Sequence, residues 1–251
     1  MSQEESKPNK VTICRFTPDP ALFCSAPFCN KLDALLTFSG VKGVQYEGVS
    51  PMGAPRRLLP YAKIDGVIVP DSELIYETLK DKGVIECLDS KAALSPQESA
   101  LTYAIKALVE KSLVEFMVYE RWIENHNLTA DTFLSDVPWI FRRVMGYFFV
   151  WRPYQERFWG SGLTRYTPEE RERDLKANLR ALATLVPSSG YIHGKSAPTR
   201  VDAIVFGFLT AVYRFPQLCP KVAAGLAVYP HFLEYHHQLS VKFWPQRKPV
   251  V

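Results

Sequence analysis

The pattern of apolar and polar positions changes once along the chain, near residue 84. Before that point, residues 11–16 and 43–50 are short apolar runs that predict strands. Residues 27–40 have apolar positions three and four residues apart, which predicts a helix. Residues 61–69 hold an Asp-Gly pair between two apolar stretches, a strong signal for a β-hairpin. Residues 71–83 predict a helix with a glycine stop, so the predicted order is β-α-β-β-β-α.

Only helical patterns follow residue 95. Ser-Pro-Gln-Glu at 95–98 and Thr-Pro-Glu-Glu at 167–170 are capping boxes with proline at the first helical position. The first opens a helix that keeps one apolar face to about residue 126. Further helices are predicted over 138–158, 167–185, 199–215 and 229–243, and the almost wholly apolar 199–215 is expected to be buried. We predict an α/β region over 11–84 and an all-α region over 95–245, after a disordered tail over 1–10.

Composition narrows the class of protein. The 251 residues are 47% hydrophobic, enough for a sizeable core, and the net charge is only +4. No run of Lys and Arg exceeds two residues, so no nucleic-acid partner is expected. The longest strongly apolar run has about 13 residues, too few to cross a bilayer. The three histidines between 231 and 237 have no cysteine and only one carboxylate, Glu234, among them, so no metal site is expected.

The five cysteines are scattered and odd in number, which favours reduced thiols in a cytoplasmic protein over a disulfide framework. The polar N-terminus predicts neither a secretory nor a mitochondrial leader.

Three short motifs fall at corresponding places of a known fold. Leu59-Pro60 precedes the hairpin, Asp71-Ser72 begins the following helix, and a Thr-x-x-Asp box at 199–202 opens the apolar helix. With the element order, they make the chain resemble the glutathione transferase fold. The resemblance implies a thioredoxin-like domain over 11–84 followed by an all-helical domain over 95–245.

The sequence is most similar to the branch of that superfamily containing failed axon connections proteins and metaxins. Residues 26–33, Ala-Pro-Phe-Cys-Asn-Lys-Leu-Asp, resemble the branch pattern Ser-Pro-Phe-Cys-x-Lys-Leu-Glu. Residues 55–60, Pro-Arg-Arg-Leu-Leu-Pro, resemble its Pro-Lys-Gly-Lys-Leu-Pro. The resemblance extends over roughly residues 11–245. Metaxins can carry a C-terminal membrane anchor, whereas this chain ends Gln-Arg-Lys-Pro-Val-Val and none is expected.

The resemblance implies a glutathione site. A proline that follows a cis peptide bond would expose the backbone of Leu59 to the cysteine backbone of glutathione, which makes Leu59 and Pro60 candidates. Asp71 and Ser72 would hold the γ-glutamyl group at a helix N-terminus, with Ser72 as the cap of a helix from about residue 73. Arg56 or Arg57 is a candidate cation for the glycine carboxylate.

The group that faces the glutathione sulfur is less clear from the residues. The family serine position is Ala26, which cannot donate a hydrogen bond. Ser25 is one candidate, through its hydroxyl; Cys24 is another, through a mixed disulfide with glutathione. Another hydroxyl from the preceding loop, such as that of Thr17, is a third. Cys29 fits either a small core residue or the place of a resolving cysteine. Phe116, Tyr119 and Trp122 are candidates for an acceptor pocket between the domains.

We therefore expect glutathione as co-substrate, with its thiol activated for attack on a hydrophobic electrophile. The alternative is a non-catalytic binding or scaffold protein, as its resemblance to metaxins and failed axon connections proteins implies. A homodimer is expected only because the fold often dimerises.

Overall fold

The computed structural model describes residues 10–135, 137–248 and 250, without the side chains of 149 and 150. Of the predicted tail, residues 1–9 lie outside this range. Four strands form one mixed sheet in the order β2-β1-β3-β4: β1 Val11–Arg15, β2 Gln45–Gly48, β3 Tyr61–Ile64 and β4 Val67–Pro70. β1 pairs in parallel with β2, and the other pairings are antiparallel. Helices α1, Pro27–Phe38, and α2, Ser72–Asp81, complete the predicted thioredoxin-like order.

The rest of the described chain is helical, as predicted. The helices are α3 Leu88–Lys91, α4 Pro96–Leu108, α5 Val114–Tyr119, α6 His126–Phe133, α7 Trp139–Met145, α8 Arg152–Ser161, α9 Pro168–Leu185, α10 Arg200–Arg214, α11 Pro220–Ala227 and α12 His231–Phe243. π-helical turns at Val109–Leu113 and Glu120–Glu124 join α4 to α5 and extend α5. The short helices α3, α6 and α11 were not predicted, because none of them has a side-chain cap or room for a full hydrophobic period.

Both capping boxes at residues 95 and 167 are present. In the third box, the Asp202 carboxylate accepts hydrogen bonds from the Thr199 N–H at 2.7 Å and the Thr199 hydroxyl at 2.9 Å. The same carboxylate accepts from the Tyr235 hydroxyl at 2.6 Å and the Ile192 N–H at 2.9 Å. Asp202 therefore joins the start of α10 to α12 and to the preceding loop.

The buried helix α10 packs directly against α1. A Cβ atom on Gly207 would lie 2.7 Å from both the Lys31 nitrogen and the Pro27 carbonyl oxygen. Only glycine permits this approach between two helix backbones, which sets the start of α1 against the helical region.

No helix in the described part of the chain is both long and apolar enough to cross a membrane. Within the same part, no group of three or more His, Cys, Asp or Glu side chains is placed to hold a metal ion.

Candidate thiol site at the start of helix α1

Cys24 is held against the first turn of α1 by one side chain. Helix α1 begins at Pro27, with Ala26 as its N-cap and no side chain capping it. The Asn30 amide oxygen accepts from the Cys24 N–H at 2.8 Å, and its NH₂ group donates to the Cys24 carbonyl at 2.9 Å. Asn30 is fully buried and so has no competing water contact. Sequence reasoning gave it no role, although an amide one turn into the helix was a signal for this contact.

The Cys24 thiol is surrounded by donors. Its pKa falls from 9.0 to about 6, first because the Cys29 thiol donates a hydrogen bond to its sulfur. Backbone N–H groups of Ala26 and Thr17 and the Arg15 guanidinium also favour the thiolate, and together they outweigh the opposing effect of burial. These causes match what the start of a helix offers a thiolate.

Cys29 has the opposite character. Burial and the neighbouring Cys24 raise its pKa well above the usual range. The pair therefore consists of a sulfur that ionises near neutral pH and a protonated donor beside it.

Arg15 organises the loop that leads into Cys24. It is fully buried at the end of β1 and pairs with Asp33 of α1 at 2.5 Å. The same guanidinium donates to the carbonyls of Asp19, at 2.9 Å, and Leu22, at 3.4 Å. Arg247 adds a second cation to Asp33 at 3.2 Å. Charge pairing in the interior thus fixes the path of the loop.

Arg121, in the helical region, binds the backbone of Ser25, the residue that follows Cys24. It donates to the Ser25 carbonyl at 2.9 Å and to the Ala211 carbonyl of α10 at 2.5 Å. Ser25 is largely buried. Arg121 lies in the Glu-Arg-Trp sequence at 120–122, but its contact with Ser25 spans 96 residues and no local pattern signals it.

The structure places one of the predicted glutathione-contacting residues, Leu59, beside the thiols. The Leu59–Pro60 peptide bond is cis. Leu59 shares one small buried cluster with Cys24 and Cys29, which also includes Cys14 and Tyr61.

The predicted N-cap of α2 is wrong. Asp71, not Ser72, caps α2: its carboxylate accepts from the Glu73 N–H at 2.8 Å, whereas Ser72 is the first helical residue and is buried. Asp71 has a φ of 71°, which turns the chain sharply into the helix. The Asp71 carboxylate accepts a hydrogen bond from the first turn of the helix, which is the role that the Ser72 hydroxyl was expected to have.

The residue after Ser72 connects the two regions. Glu73 pairs with Lys106 of α4 at 2.8 Å, with Lys31 of α1 at 3.3 Å, and with Arg200 of α10. Lys31 also pairs with Glu110 at 2.7 Å. Burial lowers the pKa of Lys31, and the Glu110 carboxylate opposes that effect. This network fixes the N-terminus of α2 relative to α1.

The other candidates lie farther out or inside the helical region. Arg57 is exposed, with a φ of 54°. Phe116 and Tyr119 are buried and line a cavity of about 20 Å³ whose walls come from α5, α9, α11 and the π-helical turn after α5. Trp122 stacks on Tyr154 with ring centroids 5.6 Å apart. This cavity is not the interdomain acceptor pocket expected from the sequence, and that pocket stays a prediction, as does the homodimer.

Comparison with known proteins agrees with this architecture. Residues 27–127 match the model of the glutathione S-transferase N-terminal domain. The chain is 22% identical over 213 residues to Failed axon connections of Drosophila melanogaster, which covers 81% of this chain and 50% of that protein. The chain therefore spans about half the length of this curated relative.

Solved structures share the fold. The β-etherase of Sphingobium sp. strain SYK-6 is 16% identical, with 96% of each chain covered and a TM-score of 0.63. Rice GST1 in complex with glutathione is 13% identical, with 96% of this chain and 90% of that chain covered and a TM-score of 0.58. Residues 27–127 thus match the N-terminal domain of glutathione S-transferases, and the chain as a whole shares the fold of these solved structures.

Proposed function

We propose that the protein binds glutathione beside Leu59 and the start of α2, and exchanges disulfides with it at Cys24. The observation that carries this proposal is the set of donors around the Cys24 sulfur. The Cys29 thiol and the N–H groups of Ala26 and Thr17 all favour its thiolate.

This arrangement changes the chemistry expected from the sequence. If the sulfur of glutathione were the attacking atom, the donors at the start of α1 would have to stabilise the glutathione thiolate. Here they serve Cys24, which is ionised at neutral pH with a pKa of about 6. A second thiolate beside it would meet the like charge of the Cys24 thiolate. Attack of a bound glutathione thiolate on a hydrophobic electrophile is therefore the less favoured use of this site.

The glutathione contacts follow from the same geometry. Leu59 lies in the cluster that holds Cys24, so a peptide paired with its backbone would place a sulfur next to Cys24. The amides at the start of α2 are suited to the γ-glutamyl carboxylate. The Asp71 carboxylate at that helix start is suited to its amine, and the exposed Arg57 to the glycine carboxylate.

The exchange balances with two reactants, a mixed disulfide of glutathione and one molecule of reduced glutathione. The Cys24 thiolate attacks the glutathione sulfur of a mixed disulfide, a Cys24–glutathione bond forms, and the other thiol leaves as a thiolate that takes a proton from water. A second glutathione thiolate then attacks the glutathione sulfur bound to Cys24, which releases glutathione disulfide and restores the Cys24 thiolate. Because Cys24 is fully buried, the loop over residues 17–25 must open locally during this cycle.

The test compares two reactions in the full chain, the parent and Cys24→Ala. One is reduction of the mixed disulfide between glutathione and 2-mercaptoethanol; the other is conjugation of glutathione to chlorodinitrobenzene. Ser25→Ala is the matched control, since it removes the neighbouring hydroxyl. We expect disulfide reduction in the parent and in Ser25→Ala, and its loss in Cys24→Ala.

The opposite pattern would overturn the proposal. Conjugation in the parent that survives Cys24→Ala but is lost in Ser25→Ala would restore glutathione as the attacking sulfur. Isothermal calorimetry adds a third outcome: no heat of binding at millimolar glutathione would favour the scaffold protein.

A further inference from the structure

The proposed exchange uses Cys24 and leaves a second buried thiol beside it. Cys29 lies one turn into α1, is fully buried, and donates a hydrogen bond to the Cys24 sulfur. We propose that Cys24 and Cys29 form an intramolecular disulfide, with Cys29 resolving the mixed disulfide on Cys24. The glutathione route to this disulfide rests on the proposed function; the pairing of the two sulfurs does not.

The first argument is contact. The Cys24 and Cys29 side chains lie in one small buried cluster, where each changes the pKa of the other, and the Asn30 amide fixes the Cys24 backbone on the same helical turn. Cys14 belongs to the same buried cluster, but its hydrogen-bond partners are the Tyr61 hydroxyl and the Glu47 carboxylate. Contact therefore selects Cys29 over Cys14 as the partner of Cys24.

The second argument is space. Both sulfurs are fully covered and lie among Leu59, Ala54 and Tyr61. A glutathionyl group on Cys24 would have to keep the covering loop open, whereas a disulfide between neighbouring sulfurs adds no atom. Closure of the loop over Cys24 thus favours the intramolecular product.

The third argument is charge. Burial is the main cause that raises the pKa of Cys29, and the hydrogen bond to Cys24 and the charge of the Cys24 thiolate add to it. Formation of the mixed disulfide removes the two contributions of Cys24, and the opening of the loop that admits glutathione reduces the burial. Cys29 therefore loses its proton more readily after Cys24 has reacted than before.

The step balances as thiol–disulfide exchange. Cys29 loses its proton and attacks the Cys24 sulfur, the Cys24–Cys29 bond forms, and the Cys24–glutathione bond breaks. Glutathione leaves as a thiolate and takes up that proton. Overall, glutathione disulfide is reduced to two glutathione molecules as the two cysteines are oxidised.

The test uses the full chain with Cys87→Ser, because Cys87 is the one cysteine that is not buried. The protein is incubated with glutathione disulfide, quenched with acid, and examined by intact mass and peptide mapping. We expect the parent to lose two hydrogens and to yield a linked Cys24–Cys29 peptide. Cys29→Ala should stop with one glutathione on Cys24, and Cys14→Ala, the control from the same cluster, should behave as the parent.

A persistent glutathione adduct on Cys24 in the parent, without the linked peptide, would overturn the inference and leave the proposed function standing. A parallel incubation with hydrogen peroxide separates the two claims, since peroxide oxidises the Cys24 thiolate to a sulfenic acid that condenses with Cys29 and releases water. The linked peptide with peroxide but not with glutathione disulfide would support the pair and count against the glutathione function. Its absence with both oxidants would reject the pair. Circular dichroism of each variant verifies that it is folded.

Discussion

The close approach of α1 and α10 makes Gly207→Ala the sharpest test of how the site is positioned. The new Cβ would lie 2.7 Å from the Lys31 nitrogen and the Pro27 carbonyl oxygen, and 3.0 Å from the Lys31 Cα. These are backbone atoms, so relief requires one helix to move. Gly225→Ala is the matched control, because its Cβ would meet the flexible end of the Leu179 side chain and no backbone atom.

The magnitude follows from two opposing effects. Alanine in place of glycine favours a helix by about 1 kcal/mol in both variants. Overpacking against a backbone that cannot yield easily costs about 3 kcal/mol at the upper end of the usual range. We therefore expect Gly207→Ala to lower the free energy of unfolding by about 2 kcal/mol, and Gly225→Ala to change it by less than about 1 kcal/mol.

Urea denaturation followed by circular dichroism measures both variants. Alkylation of Cys24 as a function of pH is the second readout, because a displaced α1 should raise the thiol pKa from about 6 towards 9.0. Equal stability of the two alanine variants would refute the claim that the Gly207 contact sets the distance between the helices.

Three further predictions concern the buried groups. The Cys24 thiol has a pKa of about 6 in the folded protein and 9.0 in the unfolded chain. As the pH rises from 6 to 9, the free energy of unfolding of the parent, measured by urea titration, should therefore increase by up to about 4 kcal/mol relative to that of Cys24→Ala. Equal pH dependence of the two free energies would contradict this. Burial lowers the pKa of His236 from 6.5 to about 3. Between pH 6.5 and pH 3 the unfolded chain therefore binds a proton at His236 that the folded protein does not bind. Acidification over this range should lower the free energy of unfolding less in His236→Gln than in the parent. Asn30→Ala leaves the buried N–H and carbonyl of Cys24 without their partners and should lower the free energy of unfolding by about 2–4 kcal/mol in urea; Asn178→Ala, which removes a half-buried bond to Ser112, should cost less.

The sequence by itself determined the order of the elements and most of their starts. The Asp65-Gly66 hairpin, Pro27 at the start of α1 and the capping boxes at 95 and 167 are local signals, because each depends on residues within one turn. The burial of α10 also followed from its composition, since a helix apolar on all sides has no solvent face. The sequence also placed Cys24 and Ser25 at the start of α1, but it could not choose between them.

The lowered pKa of the Cys24 thiol, by contrast, is a result of the tertiary structure. It depends on the path of the loop before α1, which Arg15 holds from β1 and Arg121 holds from 96 residues away. It depends equally on Asn30 and Cys29, whose contacts with Cys24 exist only once the loop has folded over the helix. The cap of α2 passed from Ser72 to Asp71 for a related reason, since either side chain fits the local pattern and the backbone turn at Asp71 selects one. Local patterns fix where helices begin, whereas the charge of a buried sulfur is set by the donors that distant parts of the chain bring to it.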